Sequence, residues 1–427
     1  MLYGEIMKIL IVSPRFIKSD MRGGEEVART LFMKLEKDAE INVITSDGFD
    51  IRYQHSFFSK SLRGMEHEKI SDPRVIYLTS FPLMNSLARV VFKILKHLHS
   101  STRTKSIDYL IDLLSVFSHG PYLPSLRRQI LKIKPDVIFG SIFPTQSSFS
   151  AFKIATKWNI PFVYTPYYHY MMTEFHNHSI LREIICKSSS TIACTKKEKD
   201  ELIQLGSNEY MTHVIPLGIP IKQRPEEAKV KNLKNELKLE GMFIVLAQAW
   251  IDKGIEYIVE SVSRFSDIHQ NVALVTIGSP DLKYLEIVDN IKSIYKNLRI
   301  INLGWVQGDY KNLVFSMANV FMMFSKSDAF GLSYLEALSM KVPVVGMRET
   351  SAEEIITDSM DGYLINEGDI EGIMDKLEKL YTDHALGYKL GDNGLEKVRD
   401  KFSDTKMKEN YMNVFEMVVK DLNLNIN

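Results

Sequence analysis

Three short stretches of this 427-residue chain carry residue types whose spacing suits a phosphorylated ligand. The first is residues 246–255 (LAQAWIDKGI), an apolar run that reaches Gln248 and then Lys253-Gly254 just ahead of a helical pattern. A lysine in that place meets phosphate oxygens held at a helix N-terminus. The second is residues 324–345 (FSKSDAFGLSYLEALSMKVPVV), with Asp328, then Phe330-Gly331-Leu332, then Glu336 within a helix. Glycine there exposes backbone amides. Two acids eight residues apart stand roughly 12 Å apart along a helix axis, which suits two parts of an extended ligand. It does not suit the close carboxylate pair of a glycoside hydrolase. The third is SPRFIKSDMRGGEEVART, where Gly23-Gly24 precedes a helix and offers free N–H groups at its positive end. It lacks the G-x-G-x-x-G of dinucleotide folds, and a tight turn at a helix start accounts for it equally well.

These stretches need elements to hold them. Short apolar runs alternate with longer helical patterns, as in βαβ units around a parallel sheet. Residues 8–13 (KILIVS) read as a buried strand ended by Pro14, and 25–35 as a helix with Val27, Leu31 and Leu35 on one face. Further strands are expected at 41–45, 75–78, 136–139, 162–165, 191–194 and 213–215. A connector rich in Pro and Gly at 216–225 (PLGIPIKQRP) breaks the pattern. A second series follows at 243–247, 272–277, 299–303, 320–324 and 342–345. Residues 404–422 read as a last helix with Tyr411, Val414, Phe415 and Val418 on one side. The fold class is therefore α/β, two Rossmann-like, doubly wound parallel-sheet domains. Ligands bind such sheets at the carboxyl ends of the strands.

Composition narrows the function. Hydrophobic residues are 45% and charged residues 25%, an ordinary globular balance. Cys186 and Cys194 make neither a disulfide framework nor a paired metal motif and read as reduced thiols. No apolar run reaches a bilayer-spanning length, and the N-terminus has no signal-peptide pattern, so the expected location is cytoplasmic. Residues 1–221 hold 28 Lys/Arg against 21 Asp/Glu, while the rest hold 25 against 32. This asymmetry points the first half toward an anionic or membrane-surface partner and is too mild for a nucleic-acid binder.

Taken in order, AQAWIDKG, DAFGLSYLEA and KVPVV resemble the C-terminal signature of the family-4 retaining glycosyltransferases (glycosyl transferases group 1), G-R-L-x-x-x-K-G, E-x-x-G-L-x-x-x-E-A and G-x-P-V-V. The resemblance extends through MKILIVSPRF, GGEEVARTL, KPDVIFG, IPFVYTPYYHY, SSSTIACTKKEKDEL and VIPLGI. It implies the GT-B fold, with two Rossmann-like domains facing across a cleft. The implied domains are an acceptor-binding domain at 1–221, a nucleotide-sugar-binding domain at 222–403, and a helix at 404–427 returning to the first. The implied reaction transfers a hexose from a UDP- or GDP-sugar to a glycan or lipid-linked hydroxyl, with retained configuration and with neither metal nor cofactor. By the same resemblance, Lys253 contacts the donor diphosphate, Asp328 the transferred sugar and Glu336 the ribose. Amides of Phe330, Gly331 and Leu332 hold sugar and phosphate, with Gly23 and Gly24 near the phosphates. The sequence departs from the pattern in three places. Gln248 replaces an arginine clamp, and a lost charge-assisted bond costs about 1.5–3 kcal/mol. Asp328 stands where glutamate is usual. In Thr165-Pro166-Tyr167-Tyr168-His169, Tyr167 holds the place of the family's active-site histidine and His169 lies two further on; the expected catalytic residue is His169, taking over by a small loop shift, the alternatives being a hydroxyl from Tyr167 or an impaired site. These departures define an alternative, a catalytically weak homologue acting as a sugar-nucleotide-binding or scaffolding partner. A two-domain nucleotide-binding oxidoreductase is a third reading, opposed by the absent G-x-G-x-x-G and by FGLSYLEA.

Residues 86–99 (SLARVVFKILKHLH) place Leu87, Val90, Val91, Ile94, Leu95 and Leu98 at helical spacing, with Arg89, Lys93 and Lys96 on the other side. Such a helix either faces a core or lies on a membrane surface. The second reading puts the protein at the cytoplasmic membrane face.

Overall fold

The computed structural model describes residues 6–18, 24–48, 62, 65–98, 105–168, 178–295, 298–326 and 328–426. Contacts divide the chain into two compact units, Met1–Pro216 with Met407–Asn427, and Leu217–Lys406.

The first unit is built on β1 (Lys8–Val12), β2 (Glu40–Ser46), β3 (Val75–Leu78), β4 (Val137–Ser141), β5 (Phe162–Thr165), β6 (Ser190–Ala193) and β7 (Thr212–Val214). They form one sheet in the order β3-β2-β1-β4-β5-β6-β7, with parallel pairings such as Ile9↔Ile41 and Ile9↔Val137. β4 and β5 are buried along their whole length, because helices cover both faces of a parallel sheet. The helix Asp404–Ile426 belongs to this unit from Met407 onward. Tyr411, Val414, Phe415 and Val418 are all buried. The Tyr411 and Phe415 rings lie 5.5 Å and 6.0 Å from that of Phe139 on β4, and the Tyr411 hydroxyl is 3.2 Å from Thr165 Oγ1 at the end of β5.

The second unit carries β8 (Phe243–Gln248), β9 (Val272–Ile277), β10 (Arg299–Asn302), β11 (Val320–Met322), β12 (Val344–Met347) and β13 (Gly362–Ile365), in the order β10-β9-β8-β11-β12-β13. β11 is shorter than the 320–324 run, since Met323 and Phe324 already belong to the loop that follows. β12 starts after Pro343, which has no N–H for the ladder. β13 was not among the expected strands. It pairs with β12, and a Cβ on Gly362 would lie 2.3 Å from the Val344 carbonyl oxygen, so only glycine allows this approach. The unit is closed where its ends meet: Ile219 N donates to Phe402 O and Asp404 N to Ile219 O, each at 2.9 Å.

Both sheets reverse direction between two central strands, β1 and β4 in the first unit, β8 and β11 in the second. These are the topological switch points at which doubly wound sheets receive ligands.

Among the described residues of the 86–99 stripe, four of the apolar side chains face away from the core. In the helix Pro82–Leu98, Asn85 and Ala88 form the buried line, and Asn85 Nδ2 donates to Phe117 O at 2.9 Å on the helix Lys105–Ser118. Leu87, Val90, Val91 and Ile94 are 42% to 57% exposed. Lys93 and Lys96 are exposed beside them, and Arg89 reaches Ser118 O at 3.1 Å. Among the described residues, no helix is long and apolar enough to cross a membrane.

Candidate functional site

In the second unit, chemistry-bearing residues gather at the β8/β11 switch point. After β8 the chain makes a short 3-10 turn, Ile251–Lys253, ended by Gly254 at φ 67. A Cβ on Gly254 would lie 2.6 Å from Phe324 Cβ and 2.7 Å from its carbonyl oxygen. Glycine lets this loop run against the one after β11, and Phe324 N donates to Lys253 O at 2.9 Å to tie them together. Lys253 thus points at the second loop. Its ammonium donates to Asp328 Oδ1 at 2.9 Å and to Ser325 Oγ at 3.4 Å, with Asp252 Oδ2 3.3 Å away. Burial disfavours the charge on Lys253, but the Asp328 and Asp252 carboxylates outweigh it and raise its pKa.

Asp328 leads into Gly331, which starts the helix Leu332–Ser339 at φ 102. A Cβ on Gly331 would come within 2.8 Å of the Tyr334 ring. Tyr334 cannot yield, because it is buried and its hydroxyl donates to Met323 O. Phe330 is buried with its ring 5.9 Å from Phe402. Its side chain anchors the loop, and Leu332 opens the helix half-buried. Gln248 Nε2 donates to Ser333 Oγ at 2.6 Å, while its carbonyl oxygen is buried with no hydrogen-bond partner. One turn further along, Glu336 Oε1 accepts from Lys311 Nζ at 2.5 Å. The second unit therefore brings Gln248, Lys253, Asp328, Gly331, Leu332 and Glu336 to one end of one sheet. Asp328 and Glu336 carry separate cations, so the acids serve separate places, although Asp328 lies in the loop and not on the helix axis.

In the first unit, Gly24 starts the helix Gly24–Leu35. A Cβ there would fall 2.2 Å from Tyr167 Cε2 and 2.8 Å from Ile142 Cγ1, so the glycine makes room for the tyrosine ring. Tyr167 sits at φ 54. Its phenol pKa is raised by burial first, then by Tyr411, Cys194 and Glu198. Gly23 and His169 lie outside the described residues.

Sequence reasoning missed three groups. Arg15 and Glu25 form a buried ion pair across the first loop, with Nη2 to Oε2 at 2.6 Å; nothing in their spacing marks it. Lys311 sits in the helix Gly308–Ser316, outside any motif. Glu198 accepts from Tyr168 N and Cys194 N, both at 2.6 Å, and so clamps the loop after β5 to the loop after β6. Burial raises this carboxyl to about 8 against the pull of those two amides. Here a signal existed: Thr195 and Glu198 have capping-box spacing, and Glu198 N donates to Thr195 Oγ1 at 3.0 Å.

Residues 241–383 match the family model described as glycosyl transferases group 1, and residues 102–223 that of glycosyltransferase family 4. An α-monoglucosyldiacylglycerol synthase of Acholeplasma laidlawii is 27% identical over 270 residues, 57% of this chain and 66% of the relative. A sulfoquinovosyl transferase of Arabidopsis thaliana is 24% identical over 275 residues, 60% of this chain and 52% of the relative. The chain spans about half to two-thirds of the length of these relatives. Among solved structures, Anabaena HepE in complex with UDP and glucose aligns with a TM-score of 0.67 at 17% identity, over 96% of this chain and 100% of that one. Sucrose-phosphate synthase from Thermosynechococcus elongatus aligns with a TM-score of 0.70 at 17% identity, over 97% and 100%. At such identity the likeness speaks for the fold. Two doubly wound units, a switch-point site built from the signature residues and matches to both halves in order lead to one conclusion: the chain belongs to the group 1 and family 4 glycosyltransferases and has the GT-B fold.

Proposed function

We propose that the protein is a retaining, metal-independent glycosyltransferase that moves a hexose from a UDP- or GDP-sugar to a hydroxyl of a glycan or lipid-linked acceptor. The observation that carries this reading is the placing of Lys253 with Asp328, and of Glu336 one helical stretch away, at the β8/β11 switch point. The Lys253 ammonium has three N–H donors, and Asp328, Asp252 and Ser325 occupy its surroundings. A donor diphosphate displaces the two longer contacts, at 3.3 and 3.4 Å, and keeps Asp328 to orient the lysine or meet the sugar. Amides at Gly331 and Leu332, at the positive end of their helix, add to the charge stabilisation of the leaving diphosphate. Glu336 takes the ribose. The names of the relatives, a glucosyldiacylglycerol synthase and a sulfoquinovosyl transferase, and the UDP and glucose bound by HepE support a sugar nucleotide and a lipid acceptor. The exposed apolar face of Pro82–Leu98, flanked by Lys93 and Lys96, supports docking on the cytoplasmic face of an anionic membrane.

A second reading, a catalytically weak homologue acting as a sugar-nucleotide-binding or scaffolding partner, draws on Gln248, which brings no charge, and on Tyr167, whose ring is packed against Gly24. A thermal-shift screen against UDP-, GDP-, ADP- and TDP-sugars, with Lys253→Ala and Glu336→Ala alongside, tests the site. Stabilisation of the wild type alone names the donor, and a transfer assay then separates enzyme from scaffold. A folded protein that no donor shifts would refute the enzyme and favour the non-catalytic scaffolding partner.

A further inference from the structure

Ser333 and Glu336 stand three residues apart on the helix Leu332–Ser339 and so share a face. A polar side chain reaches each of them from another element of the same unit. Gln248 comes from β8 to Ser333, and Lys311 comes from the helix Gly308–Ser316 to Glu336. The Lys311–Glu336 pair is half-buried, with side chains 30% and 28% exposed, and therefore reachable by a ligand. A pair this accessible contributes little to stability. Its stereochemistry is more informative. Lys311 engages Oε1, and no described hydrogen bond engages Oε2 or the other two N–H groups of the ammonium. The Phe315 ring, 6.0 Å from Lys311 Nζ, flanks the ammonium from the same helix. What the pair offers to a ligand is one free carboxylate oxygen beside two free N–H donors.

We propose that Lys311 is a nucleotide-specificity residue, which with Glu336 forms a mixed ammonium–carboxylate clamp for the two vicinal hydroxyls of the donor ribose. One hydroxyl donates to Glu336 Oε2, and the oxygen of the other accepts from Lys311. The inference rests on the donor-site reading above and sharpens it in two ways. It returns to the nucleotide pocket a cation that Gln248 does not bring, displaced from β8 to the Gly308–Ser316 helix. It also makes recognition depend on both hydroxyls. A site built to hydrogen-bond a hydroxyl rejects the analogue lacking it, because one member of the pair is left unmatched.

The test is calorimetric titration of the full chain with UDP and GDP, each beside its 2′-deoxy and 3′-deoxy counterparts. Wild type is compared with Lys311→Met, Lys311→Arg, Glu336→Gln and Lys253→Ala. The expected result is a preference of wild type for the ribonucleotide of about tenfold or more. Lys311→Met weakens ribonucleotide binding about tenfold and brings the ribo-to-deoxy ratio close to one for the hydroxyl that Lys311 meets, Glu336→Gln does so for the other hydroxyl, and Lys311→Arg recovers part of the preference. Circular dichroism identical to wild type separates this from misfolding. If Lys253→Ala abolishes binding while Lys311→Met keeps both affinity and ratio within about twofold, the donor site stands and the role of Lys311 falls. If wild type binds neither diphosphate, the donor-site reading itself falls and takes this inference with it.

Discussion

Replacing Gly331 with alanine separates two costs that glycine avoids. At φ 102 the backbone is in a region that a side chain penalises by roughly 1–2 kcal/mol. The new Cβ would also sit 2.8 Å from Tyr334 Cδ2. Tyr334 is fully buried, its hydroxyl is bonded to Met323 O, and it already fills the space against Gly346. A ring held at both ends moves only with its surroundings, and overpacking of this kind costs about 1–3 kcal/mol. Loss of unfolded-state freedom returns about 0.4–1 kcal/mol. The expected net destabilisation is about 2–4 kcal/mol. Gly308 is the matched control. Its φ is 58 and a Cβ there meets nothing within 4 Å, so Gly308→Ala incurs the backbone cost alone, about 1 kcal/mol. Urea denaturation followed by tryptophan fluorescence suits the comparison, because Trp250 and Trp305 both lie in the unit Leu217–Lys406, with rings 6.4 Å apart. Equal shifts of the two alanine variants would refute the steric reasoning, since the contact with Tyr334 would then cost nothing.

Two further outcomes are expected. The folded pKa of Glu198, about 8, exceeds its ordinary 4.5, so the folded chain holds this proton more tightly than the unfolded one. Its contribution to stability is complete below pH 4.5 and is lost as pH rises toward 8. His178, lowered to about 4 by burial, acts in the opposite sense but only below its ordinary 6.5. Between pH 6.5 and 8 the wild type should therefore lose about 2 kcal/mol of stability that Glu198→Gln does not lose, and parallel denaturation curves across that range would count against it. In sedimentation with anionic vesicles at low salt, wild type should pellet, and the triple change Leu87→Ser, Val90→Ser and Ile94→Ser should leave it in the supernatant; indifference of wild type to vesicles removes the membrane reading.

The strands were legible because a parallel sheet covered on both faces demands continuous apolar runs, and KILIV, FVYT and VALVTI are such runs. β13, only GYLI behind an Asp-Gly turn, is too short to stand out. The residues of the β8/β11 site were legible as a motif, but their partnerships were not. Lys253 and Asp328 are 75 residues apart, and only the pairing of β8 with β11 brings them together. Lys311 belongs to no pattern at all and is found only by tracing what reaches Glu336. The 86–99 stripe shows a different limit. Helical periodicity says which residues share a face and is silent on what that face meets, so Leu87 and Ile94 read alike whether buried or, as here, exposed.

The return of Asp404–Ile426 to the first unit also sets an order in time. The 190 residues of Leu217–Lys406 must be synthesised before Tyr411 and Phe415 exist to cover Phe139. At about 5–20 residues per second, that interval lasts about 10–40 s. Throughout it, a nearly complete seven-stranded sheet leaves the ribosome with an aromatic face bare. The earliest part of the chain to collapse is thus among the last to be finished. During each round of translation, this sheet waits for a helix completed after the whole of Leu217–Lys406, while that continuous unit waits for none of its own parts so long.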